Sequence, residues 1–375
     1  NLMKNLYFDI AATTPVDKSV NTLMFEIQKN LWGNPSSIHK FGQDSYCIIE
    51  KSRIQLSKLI NCKSEEIIFT GCGTESNNII LNGLLQSGDH VITSSYEHPA
   101  VKDTLKNLSD LNVETSFLKP KKDGLISLND IESAITKQTK LISIMFVNNE
   151  LGSLNEISKI SKIAKTHNIL FHTDAVQALG KIDIDIKKIN FDFASFSAHK
   201  LYGPKGVGAI YIKNGLKIKP SIFGGGQENY LRPGTPNISG IAGFGLACEI
   251  ANNLIKKTTL KILELEQHFI NQLDKYKLNY SIISKKRVPG IIAITFNDIL
   301  GENLLLKLDL HGIAVSFGAA CSSGTLTHSS SLDEIGLPNS ESIKTIRISF
   351  GKFHSKNDIN YLSKTINDII LDEKK

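Results

Sequence analysis

The chain has 375 residues, 41% of them hydrophobic and 21% charged, with a formal net charge of +6. That length exceeds what one small core needs and calls for two domains, or one large domain with a smaller companion. The composition excludes a disordered chain, the weak positive charge argues against direct nucleic-acid binding, and no apolar run approaches the roughly 20 residues of a bilayer span.

Five cysteines, Cys47, Cys62, Cys72, Cys248 and Cys321, are scattered without a CxxC pair. Their odd number and spacing exclude a zinc site and a disulfide framework, so no metal and a reducing, cytoplasmic compartment are expected. No basic region followed by an apolar stretch opens the chain, so no secretory signal is expected.

From about residue 65 to 215, short apolar runs alternate with stretches of helical spacing. The predicted strands are Ile67–Thr70, His90–Ser94, Glu114–Leu118, Leu141–Val147, Ile169–His172, Phe191–Phe196 and Val207–Ile212. Between them, Gly73–Leu85, Pro99–Leu111, Leu128–Thr136 and Glu156–His167 carry apolar residues at helical spacing. This alternation predicts an α/β fold with a mostly parallel sheet between helices. Beyond the Gly224-Gly225-Gly226 stretch, a long helix is predicted over Ile238–Tyr276. The pattern then changes to strand, helix, strand, a polar loop over Ser316–Ser342, a strand at Thr345–Phe350 and a closing helix at Lys356–Leu371. The expected division is a large domain over 16–250 and a smaller α+β domain from 1–15 and 251–375.

Ligands in such a sheet belong at the carboxyl ends of the strands, and five predicted strands end in polar residues. One ends at Ser197-Ala198-His199-Lys200, where a desolvated lysine can act as a nucleophile and form a Schiff base. Another ends at Asp174, with Gln177 one turn on. An aspartate there either caps a helix or pairs with a protonated pyridine nitrogen, and the two roles are compatible. A third runs into Gly73 and Thr74, where backbone N–H groups at a helix mouth suit a phosphate. The remaining two reach Asn149 and His98; the histidine ring suits stacking or proton transfer.

The order of motifs resembles the NifS/IscS type of cysteine desulfurase, within the fold-type I pyridoxal-phosphate (PLP) enzymes of the class V aminotransferase family. The motifs are Gly33-Asn34-Pro35-Ser36-Ser37-Ile38-His39, Thr74-Glu75-Ser76-Asn77, Glu97-His98, Asn148-Asn149-Glu150-Leu151-Gly152 and His172-Thr173-Asp174-Ala175-Val176-Gln177. Ser197-Ala198-His199-Lys200, Gly224-Gly225-Gly226-Gln227-Glu228, Arg232-Pro233-Gly234-Thr235 and Gly318-Ala319-Ala320-Cys321 follow. The resemblance implies a large domain built on a seven-stranded sheet and a smaller domain carrying the Cys321 loop. It makes Lys200 the cofactor lysine, with Asp174 and Gln177 holding the ring, His98 stacked on it as a catalytic residue and Asn149 near ring and substrate. Thr74, Ser197 and His199 would bind the phosphate, beside Gly73. Thr235 would reach the neighbouring subunit's cofactor, which implies a homodimer.

Arg347 would bind the substrate carboxylate. The chain has four arginines, and Arg53, in an amphipathic helix, and Arg287, beside two lysines, are expected at the surface. Arg347 sits in an alternating strand that can turn its fork into a cleft. Cys47, Cys62 and Cys248 fall in helical segments as small structural thiols, and Cys72 lies by the phosphate loop. Cys321 opens a Ser/Thr/Gly-rich segment expected to move, as attack on a substrate sulfur requires.

The implied reaction converts L-cysteine to L-alanine and leaves a persulfide on Cys321. The sulfur then passes to a protein acceptor, such as an iron–sulfur scaffold, or toward a thio-cofactor or tRNA. The alternatives are a selenocysteine lyase or aminotransferase-like relative, or a low-turnover sulfur-relay subunit. Asn229-Tyr230 stands where an Arg-Gly pair is common in the family, and the chain past Arg347 is shorter than the tail some relatives use to bind a scaffold.

Overall fold

The computed structural model describes residues 5–317 and 330–374. Its central sheet has seven strands: β1 (Ile67–Thr70), β2 (His90–Ser94), β3 (Glu114–Leu118), β4 (Thr139–Ser143), β5 (Leu170–Asp174), β6 (Phe193–Ser197) and β7 (Gly208–Ile212). They lie in the order β1-β7-β6-β5-β4-β2-β3. The strands from β6 to β3 run parallel, while β7 is antiparallel to both β6 and β1. β1, β2, β6 and β7 are buried at every position, which is why apolar residues dominate them without a strict in–out alternation.

All seven predicted strands exist: Ile67–Thr70, His90–Ser94 and Glu114–Leu118 with the predicted bounds, the other four with shifted ends. β4 ends at Ser143, not Val147, although Ile144 N and Phe146 N still donate to His172 O and Asp174 O of β5. β5 and β6 run on to Asp174 and Ser197, so the sheet itself presents these residues at its carboxyl edge.

A second apolar core joins Leu6 and Phe8 to residues between Ile262 and Ile370. It is built on β8 (Tyr280–Ile282), β9 (Ile291–Phe296) and β10 (Thr345–Ser349), all antiparallel in the order β10-β9-β8. The N-terminal segment belongs here through Leu6–Tyr7, which pairs in parallel with Ile313–Ala314. The helix Ile238–Lys275 serves both cores: Phe244 and Cys248 pack into the first, and Leu265 and Phe269 into the second. It is long and apolar enough to cross a bilayer, yet half of its most apolar window is buried inside the protein.

Two expectations are corrected. The polar stretch Ser316–Ser342 contains helical turns at Ser330–Glu334 and Asn339–Ser342. Of the cysteines placed in helical segments, Cys248 is buried but Cys47 is exposed, since Cys47 falls on the outer face of its helix.

Candidate active site

The carboxyl edge of the sheet opens into a cavity of about 330 Å³, within the range of small-molecule sites. Gly73, Thr74, His98, Asn149, Asp174, Gln177, Ser197, His199, Lys200 and Arg347 all line it. Thr235 does not; it is exposed on the loop before the long helix. Cys321 lies outside the described residues.

Lys200 follows β6 in a single helical turn, Ala198–Lys200. Its Nζ donates to Ala11 O and Ala12 O, each at 2.6 Å. The N-terminal segment thus supplies the backbone acceptors that orient this amine. On the next strand, Asp174 is 6% exposed. Its Oδ2 accepts from Asn77 Nδ2 at 2.7 Å and its Oδ1 from Val176 N at 3.0 Å. Among the described residues no cation pairs with it, so its charge faces the cavity held by hydrogen bonds alone.

His98 caps the helix Pro99–Ser109: its Nδ1 accepts from Ala100 N at 3.1 Å. A ring that accepts at Nδ1 carries its proton on Nε2 when neutral. His199 contacts Thr13 Oγ1 through Nδ1 at 3.0 Å. Burial, then the charges of Lys200, Lys205 and Lys181, push its pKa down to about 4, so the ring is neutral at physiological pH.

Between β1 and the helix Gly73–Leu84, the cavity wall needs glycine. A Cβ on Gly73 would sit 2.8 Å from Val176 Cγ2. A Cβ on Gly208 would lie 2.6 Å from the Cys72 carbonyl carbon, so β7 can pass this turn only as glycine. The result is a helix N-terminus, with Thr74 exposed, in the wall of the cavity.

Arg347 projects from β10 into the same cavity and is 4% exposed. Its Nη1 donates to Asn149 O and its Nη2 to Asp9 Oδ1, both at 2.7 Å, while its buried Nε has no partner. The other two arginines assigned to the surface are not there. Arg53 is bidentate to Glu228 at 2.7 and 2.8 Å, with a third nitrogen on Glu50. Arg287 pairs with Glu266 at 2.8 Å, and the side chains of the two arginines are only 11% and 15% exposed. In both cases the acid that holds the arginine is remote in sequence or a turn away, so helix amphipathicity and neighbouring lysines gave the wrong surroundings.

Sequence reasoning also missed Ala11, Ala12 and Asn77, which touch the cavity. Asn77 stood inside a quoted motif, but nothing local assigns an asparagine to an aspartate 97 positions away.

A model of the class-V aminotransferases matches residues 6–362. A cysteine desulfurase IscS of Dictyoglomus turgidum is 42% identical, covering 98% of this chain and 95% of its own. The Methanosarcina thermophila IscS is 39% identical, covering 98% and 92%. The chain belongs to the cysteine desulfurases of the class-V aminotransferase family. Among solved structures, a NifS-like protein superposes with a TM-score of 0.91 at 34% identity over 98% of this chain and all of its own. A structure described as SspA in complex with cysteine gives 0.82 at 34% identity, covering 93% and 100%.

The cofactor of this family is pyridoxal 5'-phosphate, and the donor set fits it. A buried carboxylate without a cation suits a protonated ring nitrogen, the glycine-walled helix mouth suits a phosphate, and Lys200 supplies the amine.

Proposed function

We propose that this cysteine desulfurase works through Lys200, Asp174, Arg347 and Cys321. The supporting observation is that the Lys200 amine, the Asp174 carboxylate and the Arg347 guanidinium face one cavity although they come from two strand ends of the large sheet and the middle of a strand in the small one. In this reading Asp174 and Gln177 hold the ring, with His98 against its face and Asn149 beside the substrate. Thr74, Ser197, His199 and the Gly73 turn hold the phosphate.

When bound, PLP supplies an electron sink that stabilises negative charge at the substrate Cα. Arg347 orients L-cysteine by its carboxylate. Lys200 would hold the cofactor and, as a free amine, would be the base that accepts the Cα proton. The Cys321 thiolate attacks the substrate sulfur: the S–S bond forms as the C–S bond breaks, and the electron pair of the C–S bond returns to the alanine carbon skeleton. Protonation then releases L-alanine, leaving a persulfide on Cys321.

The same reading makes the protein a cytoplasmic homodimer, in keeping with its free thiols, with Thr235 reaching the neighbouring subunit's site. It places the apolar core from 251–375 and 1–15 as a second domain, and it gives the sulfur to a protein acceptor such as an iron–sulfur scaffold, or onward to a thio-cofactor or tRNA.

Mass spectrometry of the holoenzyme after L-cysteine tests this assignment. One sulfur atom should be added on the Cys321 peptide, and Cys321→Ala should stop catalytic alanine formation while keeping the lysine-bound cofactor. Normal turnover in that variant, or sulfur on another thiol, removes Cys321 from the reaction. A cofactor adduct that survives Lys200→Ala after borohydride reduction removes Lys200.

A further inference from the structure

One half-buried lysine near the cavity has no part in the scheme above. Lys181 follows Gly180, whose φ is +73° and whose Cβ, if it had one, would fall 2.1 Å from Leu201 Cδ1. That left-handed turn brings the Lys181 side chain back along the preceding turn rather than out to solvent. Its Nζ donates to Gln177 Oε1 at 2.8 Å and to Gln177 O at 3.1 Å. Gln177 Nε2 in turn donates to Ala11 O at 2.8 Å, and Ala11 O is also an acceptor for Lys200.

An amide side chain can rotate by half a turn with almost no change in shape, exchanging its oxygen and nitrogen. Here neither neighbour permits the exchange. A lysine amine brings N–H donors, so the amide atom facing it is the oxygen. The Ala11 carbonyl only accepts, so the atom facing it is the nitrogen. Both constraints select the same orientation. The nitrogen carries two hydrogens, and Ala11 takes one. Because Gln177 lines the cavity and is only 4% exposed, the second is directed to a bound group rather than to bulk water.

Burial, then the charges of Lys200 and Arg347, push the Lys181 pKa down to about 7. The orientation survives loss of that proton, because a neutral amine still has two N–H donors, the number used here.

We propose that Lys181 is a positioning residue: it locks the Gln177 amide so that an N–H faces the phenolic oxygen of pyridoxal phosphate and helps keep that oxygen ionised. This rests on the cofactor reading above. An ionised phenolic oxygen is needed most when the lysine-bound imine loses its proton, so the Gln177 donor lowers the pH midpoint of the visible band. A hydrogen bond of ordinary net strength corresponds to a shift of about half to one pH unit.

The test is a spectroscopic pH titration of the holoenzyme. Wild type must first give a borohydride-reduced cofactor adduct on Lys200; its absence would refute the cofactor reading itself, independently of Lys181. Given that adduct, Lys181→Met should raise the midpoint by about half to one pH unit, Lys181→Arg should restore it, and Gln177→Ala should raise it by a similar amount. The double variant should shift no further than Gln177→Ala alone. An unchanged midpoint in Lys181→Met overturns the proposal. So does a double variant whose shift is the sum of the two, since that is what a purely electrostatic effect of the Lys181 charge would give. If Lys181→Met does not fold, Lys181→Gln provides the same comparison, since its shorter side chain cannot repeat the two bonds to Gln177.

Discussion

Arg347 Nη2 donates to Asp9 Oδ1 at 2.7 Å, so a residue 338 positions earlier in the chain neutralises the guanidinium from behind while its other face stays on the cavity. Asp9 is held for this by its own bridge to Ser349, two residues past the arginine. Arg347→Leu should raise the KM for L-cysteine by about 10²-fold or more, with a smaller effect on kcat, because a buried charge-assisted clamp is lost from ground and transition states alike. Arg347→Lys should lie between the two, keeping charge without the fork. Asp9→Ala should raise KM by less than Arg347→Leu, since the bond to Asn149 O still orients the arginine. Steady-state kinetics measure all three, and an unchanged KM in Arg347→Leu would place the carboxylate elsewhere.

Glu97 is a buried acid beside the site. Its Oε1 accepts from Ser94 Oγ at 2.6 Å and Met145 N at 2.8 Å, and its Oε2 has no partner. Burial pushes its pKa up to about 8 despite those two bonds, with Asp174 adding to the rise. The folded form therefore holds a proton that the unfolded chain gives up near its ordinary value of 4.5. The stabilisation is complete below that value and is lost as pH rises toward 8. Thermal unfolding should show a fall in stability of about 1–3 kcal/mol between pH 5 and 9 from this group, a range discounted from the full shift. Glu97→Gln, which cannot ionise, should flatten that part of the profile. An identical slope in wild type and variant would show that Glu97 is charged in the fold.

Gly73 gives the helix mouth its room. Gly73→Val should leave the far-ultraviolet circular dichroism unchanged but weaken pyridoxal-phosphate binding by tenfold or more. Its Cβ would meet the stiff β-branched side chain of Val176 at 2.8 Å, and its methyl groups would crowd the phosphate position proposed above. Fluorescence titration of the apoprotein reads this directly, and unaltered affinity would move the phosphate to another part of the cavity.

The inner strands of the large sheet were legible because burial on both faces leaves short, largely apolar runs, and polar residues at the ends of those runs line the cavity. Lys200, Asp174 and His98 stand at or just past such ends, and it was the convergence of several of them that singled them out. What stayed hidden is what long-range packing decides. Ala11 and Ala12 look like filler, yet their carbonyls orient Lys200. Asp9 reads as a surface acid until β10 brings Arg347 to it. Arg53 reads as one charge on the polar side of a helix, because its principal partner, Glu228, is 175 residues away.

That last pair leads to a final prediction. Glu228, Asn229 and Tyr230 are three successive residues with positive φ, of 46°, 56° and 65°. Backbone of this kind persists only where its surroundings hold it. The hold is the Glu228 carboxylate, which takes two nitrogens of Arg53 and, at 2.7 Å, the Phe69 N–H at the heart of β1. The Asn229-Tyr230 pair thus sits in a segment fixed by its neighbour, just ahead of Arg232 and Thr235. Glu228→Ala would leave the Arg53 charge and a strand N–H without this partner and should cost about 3–5 kcal/mol, seen as a lower denaturant midpoint. Arg53→Met strands the carboxylate instead and should cost a similar amount. The double variant Arg53→Met with Glu228→Ala removes both charges, so its loss should fall well short of the sum. Strict additivity would mean that the two side chains act independently, and the loop would need another anchor.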